Sequence, residues 1–201
     1  MYNYDPVTRD ARSCGTTASL CGVEQALEQG SDAALHTALR RDLLMHGAMA
    51  FFKGFPMLNS GDEIGQLNGW GYKEDPDLAD DSRNLHRTRF NWDNAAKRTQ
   101  PGTLQNELWQ GLEELRELRS DPCFGPDAWF TTWDTHNNGV LGLVRRRDSR
   151  TLAGVFNFTA EPQHLWLDAL DGAWRDRKTG TAADVRDLWL QPYEMRVLVC
   201  E

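Results

Sequence analysis

Near Pro122 the hydrophobic repeat of this chain changes from the helical period to a period of two, and no other feature constrains its fold as tightly. Upstream, Ser31 to Phe51 places Leu35, Leu39, Leu43 and Phe51 on one helical face, with Leu44 and Ala48 alongside. Lys53-Gly54 ends that helix, glycine being a common terminator. Thr103 to Arg119 repeats the pattern with Leu104, Leu108, Leu112, Leu115 and Leu118. Pro101-Gly102 punctuates its start, Thr103 can cap it, and Glu114, Arg116, Glu117 and Arg119 form the solvated face. Between the two helices, Phe55 to Asn59 is short and apolar enough for one buried strand, and Gly65 to Lys97 is a long polar loop, a kind that is often functional. Helix, strand, loop and helix together read as one βα unit of a parallel α/β fold with the preceding helix attached. Downstream, Ala128–Trp133, Val140–Arg146, Leu152–Phe158, His164–Leu167, Ala182–Trp189 and Glu194–Cys200 read as strands. Turns at Asn137-Asn138-Gly139, Asp148-Ser149, Asp171-Gly172 and Thr179-Gly180 separate them. Short strands at this spacing predict a small antiparallel sandwich. The expected organisation is therefore α/β in residues 1–121 and all-β in residues 122–201.

The net charge of −8 over 201 residues argues against nucleic acid and against an anionic membrane surface, and leaves a neutral partner such as a sugar open. The four cysteines form no CxxC pair, and no Cys/His spacing suits zinc. Four free thiols point to a reducing compartment, the cytoplasm. His46 sits in an apolar helical run, where a core role is expected rather than metal ligation. Met1 to Ser13 is polar and shows no signal peptide. Leu43 to Leu58 is interrupted by His46, Lys53 and Pro56 and is no membrane span. No metal and no cofactor is expected.

Among residues that could carry chemistry, Asp62 and Glu63 are the obvious carboxylate pair. Neighbours on a strand point to opposite faces, so these two cannot flank one glycosidic bond as acid and base. They are expected to hydrogen-bond the loops around them, the alternative being that one of them touches substrate. Arg83, preceded by Asp80 and Asp81, is either a solvated loop residue or a two-pronged clamp on a carboxylate or sugar hydroxyl. Arg12 lies in a polar run that then caps a helix at Thr16. Arg145-Arg146-Arg147 reads as a solvated hairpin end. Trp129, Trp133, Trp166 and Trp189 fall on strand patterns and are expected in the core, with stacking on sugar open to any that is exposed.

Three segments carry a family resemblance. Ser13-Cys14-Gly15-Thr16-Thr17-Ala18-Ser19-Leu20-Cys21-Gly22-Val23-Glu24, Gly61-Asp62-Glu63-Ile64-Gly65 and Asp80-Asp81-Ser82-Arg83-Asn84-Leu85-His86-Arg87 together resemble the amylosucrases. These belong to the α-amylase superfamily, glycoside hydrolase family 13. The closing run Leu190 to Leu198 resembles the last strand of that family's C-terminal β domain. The resemblance implies a (β/α)8 barrel followed by an antiparallel β-sandwich. It implies transfer of glucose from sucrose to an α-1,4-glucan, with release of fructose and net retention.

Only about fifty residues precede the strand expected at Phe55, against roughly 250 for a barrel. The chain is therefore expected to be the C-terminal portion of such an enzyme, carrying the last βα unit and the sandwich. The family's nucleophilic Asp, acid/base Glu and third Asp match no position here. No catalytic residue is assigned, and this chain alone is expected to be inactive. By resemblance Arg83 closes the glucose subsite and Arg12 lines the sucrose and acceptor side. Asp5 stands where an asparagine is usual. The partners implied are sucrose and α-glucan. A sucrose hydrolase or another glucosidase of the superfamily shares these motifs. A lone glucan-binding or interaction β-module is the rival of another class.

Overall fold

The computed structural model describes residues 4–10, 13–168 and 170–201. They form two compact units, residues Met1–Asp42 with Leu58–Gly111 and residues Leu43–Met57 with Leu112–Glu201.

The first unit begins with two short helices, α1 (Thr17–Cys21) and α2 (Val23–Gln29). Thr16 caps α1 by accepting the Ser19 N–H, as its position before an apolar run predicts. Gly22 and Gly30 close the two helices in the left-handed conformation. Helix α3 (Asp32–Phe51) starts behind Ser31, whose hydroxyl accepts the Ala34 N–H at 3.3 Å. Ala18, Val23, Ala38 and Leu39 form a small core, with Leu35, Leu67 and Leu104 packed against it. The polar stretch that follows is no structureless loop. It winds through single 3-10 turns at Asp62–Ile64, Trp70–Glu74 and Ser82–His86, then enters α4 (Trp92–Ala96). Helix α5 (Leu104–Leu118) begins at the expected Thr103 cap, which accepts the Asn106 N–H at 3.2 Å.

One expectation fails in the chain just past α3. Residues 55–59 form no strand, and Phe55 and Met57 are 96% and 82% exposed. A strand exists by its ladder partners. Among the described residues no strand pairs with this one, and Pro56 has no N–H to offer.

The second unit is an antiparallel β structure. A six-stranded sheet has the order β1 (Trp129–Trp133), β2 (Val140–Arg147), β3 (Arg150–Asn157), β8 (Met195–Cys200), β5 (Trp174–Asp176) and β6 (Ala182–Ala183). A two-stranded sheet pairs β4 (Gln163–Leu165) with β7 (Leu188–Leu190). The expected strands are present, except that Ala182–Trp189 resolves into the two short strands β6 and β7, and β5 is additional to those expected. Strand β3 is buried on both faces, which is why it reads as an unbroken apolar run. Its alternate residues Ala153 and Val155 face one core, together with Val144, Leu165, Leu190 and Leu198. Leu152 and Phe156 face the other, with Leu44, Ala48, Phe51, Leu115 and Leu118 from α3 and α5. Phe51 meets Phe124 and Phe156 edge-on, ring centroids 5.3 and 5.7 Å apart, a favoured aromatic geometry.

Arg145 overturns the reading of a solvated basic turn. It is 1% exposed, while Arg146 and Arg147 are exposed. The cause is its position: β2 extends to Arg147, so residue 145 lies inside the strand. There it finds two carbonyls and two aromatic rings. The tryptophan expectation fails in the other direction, since Trp129, Trp166 and Trp189 are 49%, 60% and 53% exposed. A strand with one wet face places alternate residues in water whatever their type.

Candidate functional site

The polar loop of the first unit carries Asp62, Glu63 and Arg83, with Asp80 and Asp81 beside the arginine. It starts from a tight turn. Gly61 and Gly65 take positive φ, 104° and 61°, on either side of Asp62–Ile64. A Cβ on Gly65 would sit 3.1 Å from Leu104 Cδ1, so this position also needs glycine for the close approach of α5. The two carboxylates serve the turn, as expected: Asp62 accepts the Asn59 N–H and Glu63 the Gly61 N–H, each at 2.8 Å. Held in this way, neither is arranged as an acid/base partner for the other.

Three polar side chains tie the loop down. Buried Gln66 donates to the Thr88 hydroxyl and accepts the Asn91 N–H at 3.1 Å. Asn68 accepts the Thr16 N–H at 2.9 Å, and its own N–H donates to the Ser19 hydroxyl at 3.0 Å. Glu24 accepts from the Asn68 amide at 3.0 Å and from the Trp70 indole at 2.7 Å. Sequence reasoning gives Glu24 no role of its own. A glutamate in the first turn of α2 reads as a helix-dipole residue, and only the fold shows what it bridges. The Gly69 N–H reaches Leu85 O at 2.8 Å and closes the loop's two arms.

At the far side Asp81 caps the Ser82–His86 turn by accepting the Arg83 N–H at 3.0 Å. The Arg83 guanidinium then folds onto the same carboxylate with Nε at 2.8 and 3.0 Å from its two oxygens and Nη2 at 2.7 Å. Arg87 Nη1 stands 3.9 Å from Asp81. The hydrogen bonds from Arg83 hold the Asp81 carboxyl down at about 2. Both partners are partly open to solvent, with 47% of the Arg83 side chain exposed. Arg83 thus makes a two-pronged contact, but on its own loop and in water.

Asp5 lies in a separate exposed turn. It accepts the Val7 N–H at 2.8 Å and the Thr8 N–H at 3.4 Å, and its own N–H donates to Asp10 O at 2.9 Å. The Val7 and Thr8 contacts push its carboxyl below the usual range. The contacts described for Asp5 stay within residues 5–10 and do not bring it to Arg83. Arg12 lies outside the described residues. Among the described residues no three His, Cys, Asp or Glu side chains converge in a way that could hold a metal ion. None of their helices is long and apolar enough to cross a membrane.

No protein-family profile matches the chain. Solved structures do. A variant of AmyP in complex with maltotriose is 25% identical, with a TM-score of 0.64 over 82% of this chain and 35% of its own. Amy13B of Eubacterium rectale is 15% identical, with a TM-score of 0.63 over 94% of this chain and 37% of its own. The α-glucosyl transfer enzyme XgtA is 16% identical, with a TM-score of 0.58 over 81% of this chain and 36% of its own. The chain therefore spans little more than a third of the length of each of these three structures. Those structures are enzymes of the α-amylase superfamily, glycoside hydrolase family 13, and the fold of this chain is a part of theirs.

Proposed function

We propose that this chain is the C-terminal part of an amylosucrase-type enzyme, which moves glucose from sucrose to an α-1,4-glucan and releases fructose. In this reading residues 1–121 supply the last unit of the catalytic barrel, and residues 122–201 supply its C-terminal β domain. The observation that carries it is the loop just described, a Gly-Asp-Glu turn followed by a 3-10 turn that presents Arg83 and Arg87 around Asp81.

The chemistry follows from what an exposed ion pair is worth. Arg83 and Asp81 are both wet, and such pairs contribute little. The guanidinium can leave Asp81 at small cost and close on a second carboxylate in a drier pocket, where a charged fork is held far more strongly. That is the role proposed for Arg83 at the glucose subsite. Arg12 is proposed for the sucrose and acceptor side, and Asp5 as a further substrate-binding residue. The bond-breaking carboxylates belong to barrel strands outside this chain, so the chain alone turns over no sucrose. Its cysteines carry free thiols, which fits a cytoplasmic enzyme.

A second reading has its own support. The AmyP structures carry maltose and maltotriose, which favours an enzyme that cleaves α-glucans and ignores sucrose. One assay separates the two. The complete enzyme containing this chain is given sucrose in one tube and maltotriose in another, and fructose, glucose and glucan are quantified. The amylosucrase reading expects fructose in excess of free glucose, with glucan growing. Cleavage of maltotriose with no fructose from sucrose would establish the second reading instead.

A further inference from the structure

The two-stranded sheet of the second unit presents a face that the proposed chemistry leaves unused. Its register pairs His164 with Trp189 and Leu165 with Leu188. Leu165, Leu188 and Leu190 point into the core and are at most 3% exposed. Residues opposite one another across an antiparallel pair share a face, and the side alternates along each strand. His164 and Trp189 therefore stand on the outer face. The ladder ends at Leu165 and Leu188, and the Leu167 N–H to Val185 O bond of 2.8 Å beyond it is shifted by one residue. The alternation of burial goes on: Trp166 is exposed between buried Leu165 and Leu167, and Asp187 is exposed beside buried Leu188. Four side chains thus share one wet surface.

Their arrangement is ordered. The His164 and Trp189 rings are stacked, centroids 4.6 Å apart and planes 19° from parallel. His164 Nε2 is 2.7 Å from Asp187 Oδ1, which ties the diagonal of the quartet. Trp166 and Trp189 are 60% and 53% exposed. Among the described residues neither indole N–H is donated to a protein atom. Isolated exposed aromatics need no explanation, but two indoles and an imidazole on one small sheet form a patch.

The geometry points to a secondary α-glucan-binding surface, with Trp189 and Trp166 as stacking platforms and Asp187 as acceptor for sugar hydroxyls. Flat rings suit the C–H face of a pyranose. A carboxylate steadied by the imidazole, and two free indole donors, suit its hydroxyl rim. Charge supports a neutral occupant: with a net charge of −8 and a carboxylate in the patch, polyanions are repelled. The choice of an α-glucan rests on the reading of the preceding subsection. The location does not, because it follows from strand register and exposure alone.

The test uses the full chain in native gels cast with glycogen, with maltoheptaose titrated by calorimetry as the soluble probe. The parent chain is expected to be retarded by glycogen. Trp189→Ala and Trp166→Ala should each weaken maltoheptaose binding by roughly tenfold, while Trp189→Phe, which keeps a ring, retains most of it. Melting temperatures of the variants check that the exposed substitutions leave the fold intact. Trp129→Ala, which removes a half-exposed tryptophan from β1, should be retarded like the parent. Absence of retardation, or retardation indifferent to both tryptophans, overturns the inference. So does a doubled mass in light scattering that either alanine variant abolishes without any effect of sugar, which would assign the face to a second copy. Failure of the sucrose assay alone, with tryptophan-dependent retardation kept, would sink the amylosucrase reading and leave this surface standing.

Discussion

Arg145 should hold the second unit together from inside, although the sequence around it reads as a surface turn. Its Nε donates to Phe51 O at 2.7 Å and its Nη1 to Cys123 O at 3.1 Å. The guanidinium carbon lies 4.5 and 5.2 Å from the ring centroids of Phe124 and Phe130. Burial, reinforced by the charge of Arg119, pushes its pKa down to about 10. The group stays cationic at neutral pH at a desolvation cost of about 3 kcal/mol. Against that stand two hydrogen bonds from a charged donor, each about 1.5–3 kcal/mol, and ring contacts of about 1–2 kcal/mol. Arg145→Ala removes the cost together with the contacts, and it leaves two buried carbonyls without their donor. The balance is a loss of about 2–3 kcal/mol. Arg145→Lys should recover little of it, because an ammonium cannot span both carbonyls or lie flat between rings. Urea unfolding followed by circular dichroism measures this as a lower midpoint at unchanged slope. If Arg145→Ala lay within about 0.5 kcal/mol of the parent, the two carbonyls would have found other partners and the argument would fall.

Gly65→Ala should destabilise by about 1–2 kcal/mol, through its φ of 61° and the contact with Leu104, and thermal melts would show it; an unchanged melting temperature counts against the turn described here. Burial pushes the Asp121 carboxyl up, but hydrogen bonds from the Arg150 guanidinium and the Cys123 N–H outweigh it, and the net shift is downward. A carboxyl lowered on folding stabilises fully above its unfolded value and loses that contribution as pH falls through the folded one. Acid unfolding should therefore be shallower for Asp121→Asn than for the parent below about pH 4, and identical acid limbs would refute the pair's role. In the complete enzyme Arg83→Ala should cut fructose release by at least about a hundredfold, because a buried carboxylate in the transition state would be left without its cationic partner, and Arg83→Lys should rescue little; near-parental turnover would return Arg83 to the solvent-exposed pair with Asp81.

What the sequence made legible is what local chemistry decides. The Thr16 and Thr103 caps, the ends of α3 and α5, and the turns between strands each depend on a few neighbouring residues, and each appears in the structure. Strand β3 was legible as a short unbroken apolar run because both its faces are buried. What stayed hidden depends on partners far along the chain. The apolar run Phe55–Asn59 has the composition of a buried strand, yet composition cannot supply the ladder that makes one. Strand β5 is three residues long, too short to establish a period, and gains its identity from the neighbours it pairs with, β8 and β6. Arg145 and Arg146 are chemically the same and adjacent. One is buried and the other exposed because β2 runs past both, and nothing local says where that strand ends.

The candidate site divides along the same line. The Asp81 and Arg83 pairing could be read from their spacing, since a carboxylate that caps a turn also receives the side chain two residues on. Glu24 could not, because its acceptor role depends on Asn68 and Trp70, more than forty residues away. That difference bears on how the site works. A short-range pair such as Asp81 and Arg83 forms wherever the loop forms, and so sets no fixed position in space. The bridge from Glu24 fixes where the loop stands over α1 and α2. Loss of Glu24 should therefore act on Arg83 indirectly, by loosening the loop while leaving the Asp81 contact in place. In the complete enzyme Glu24→Gln, which keeps one acceptor oxygen, should disturb turnover less than Glu24→Ala does. Equal effects of the two substitutions would mean that the carboxylate's charge, and not its bridge, positions the arginine.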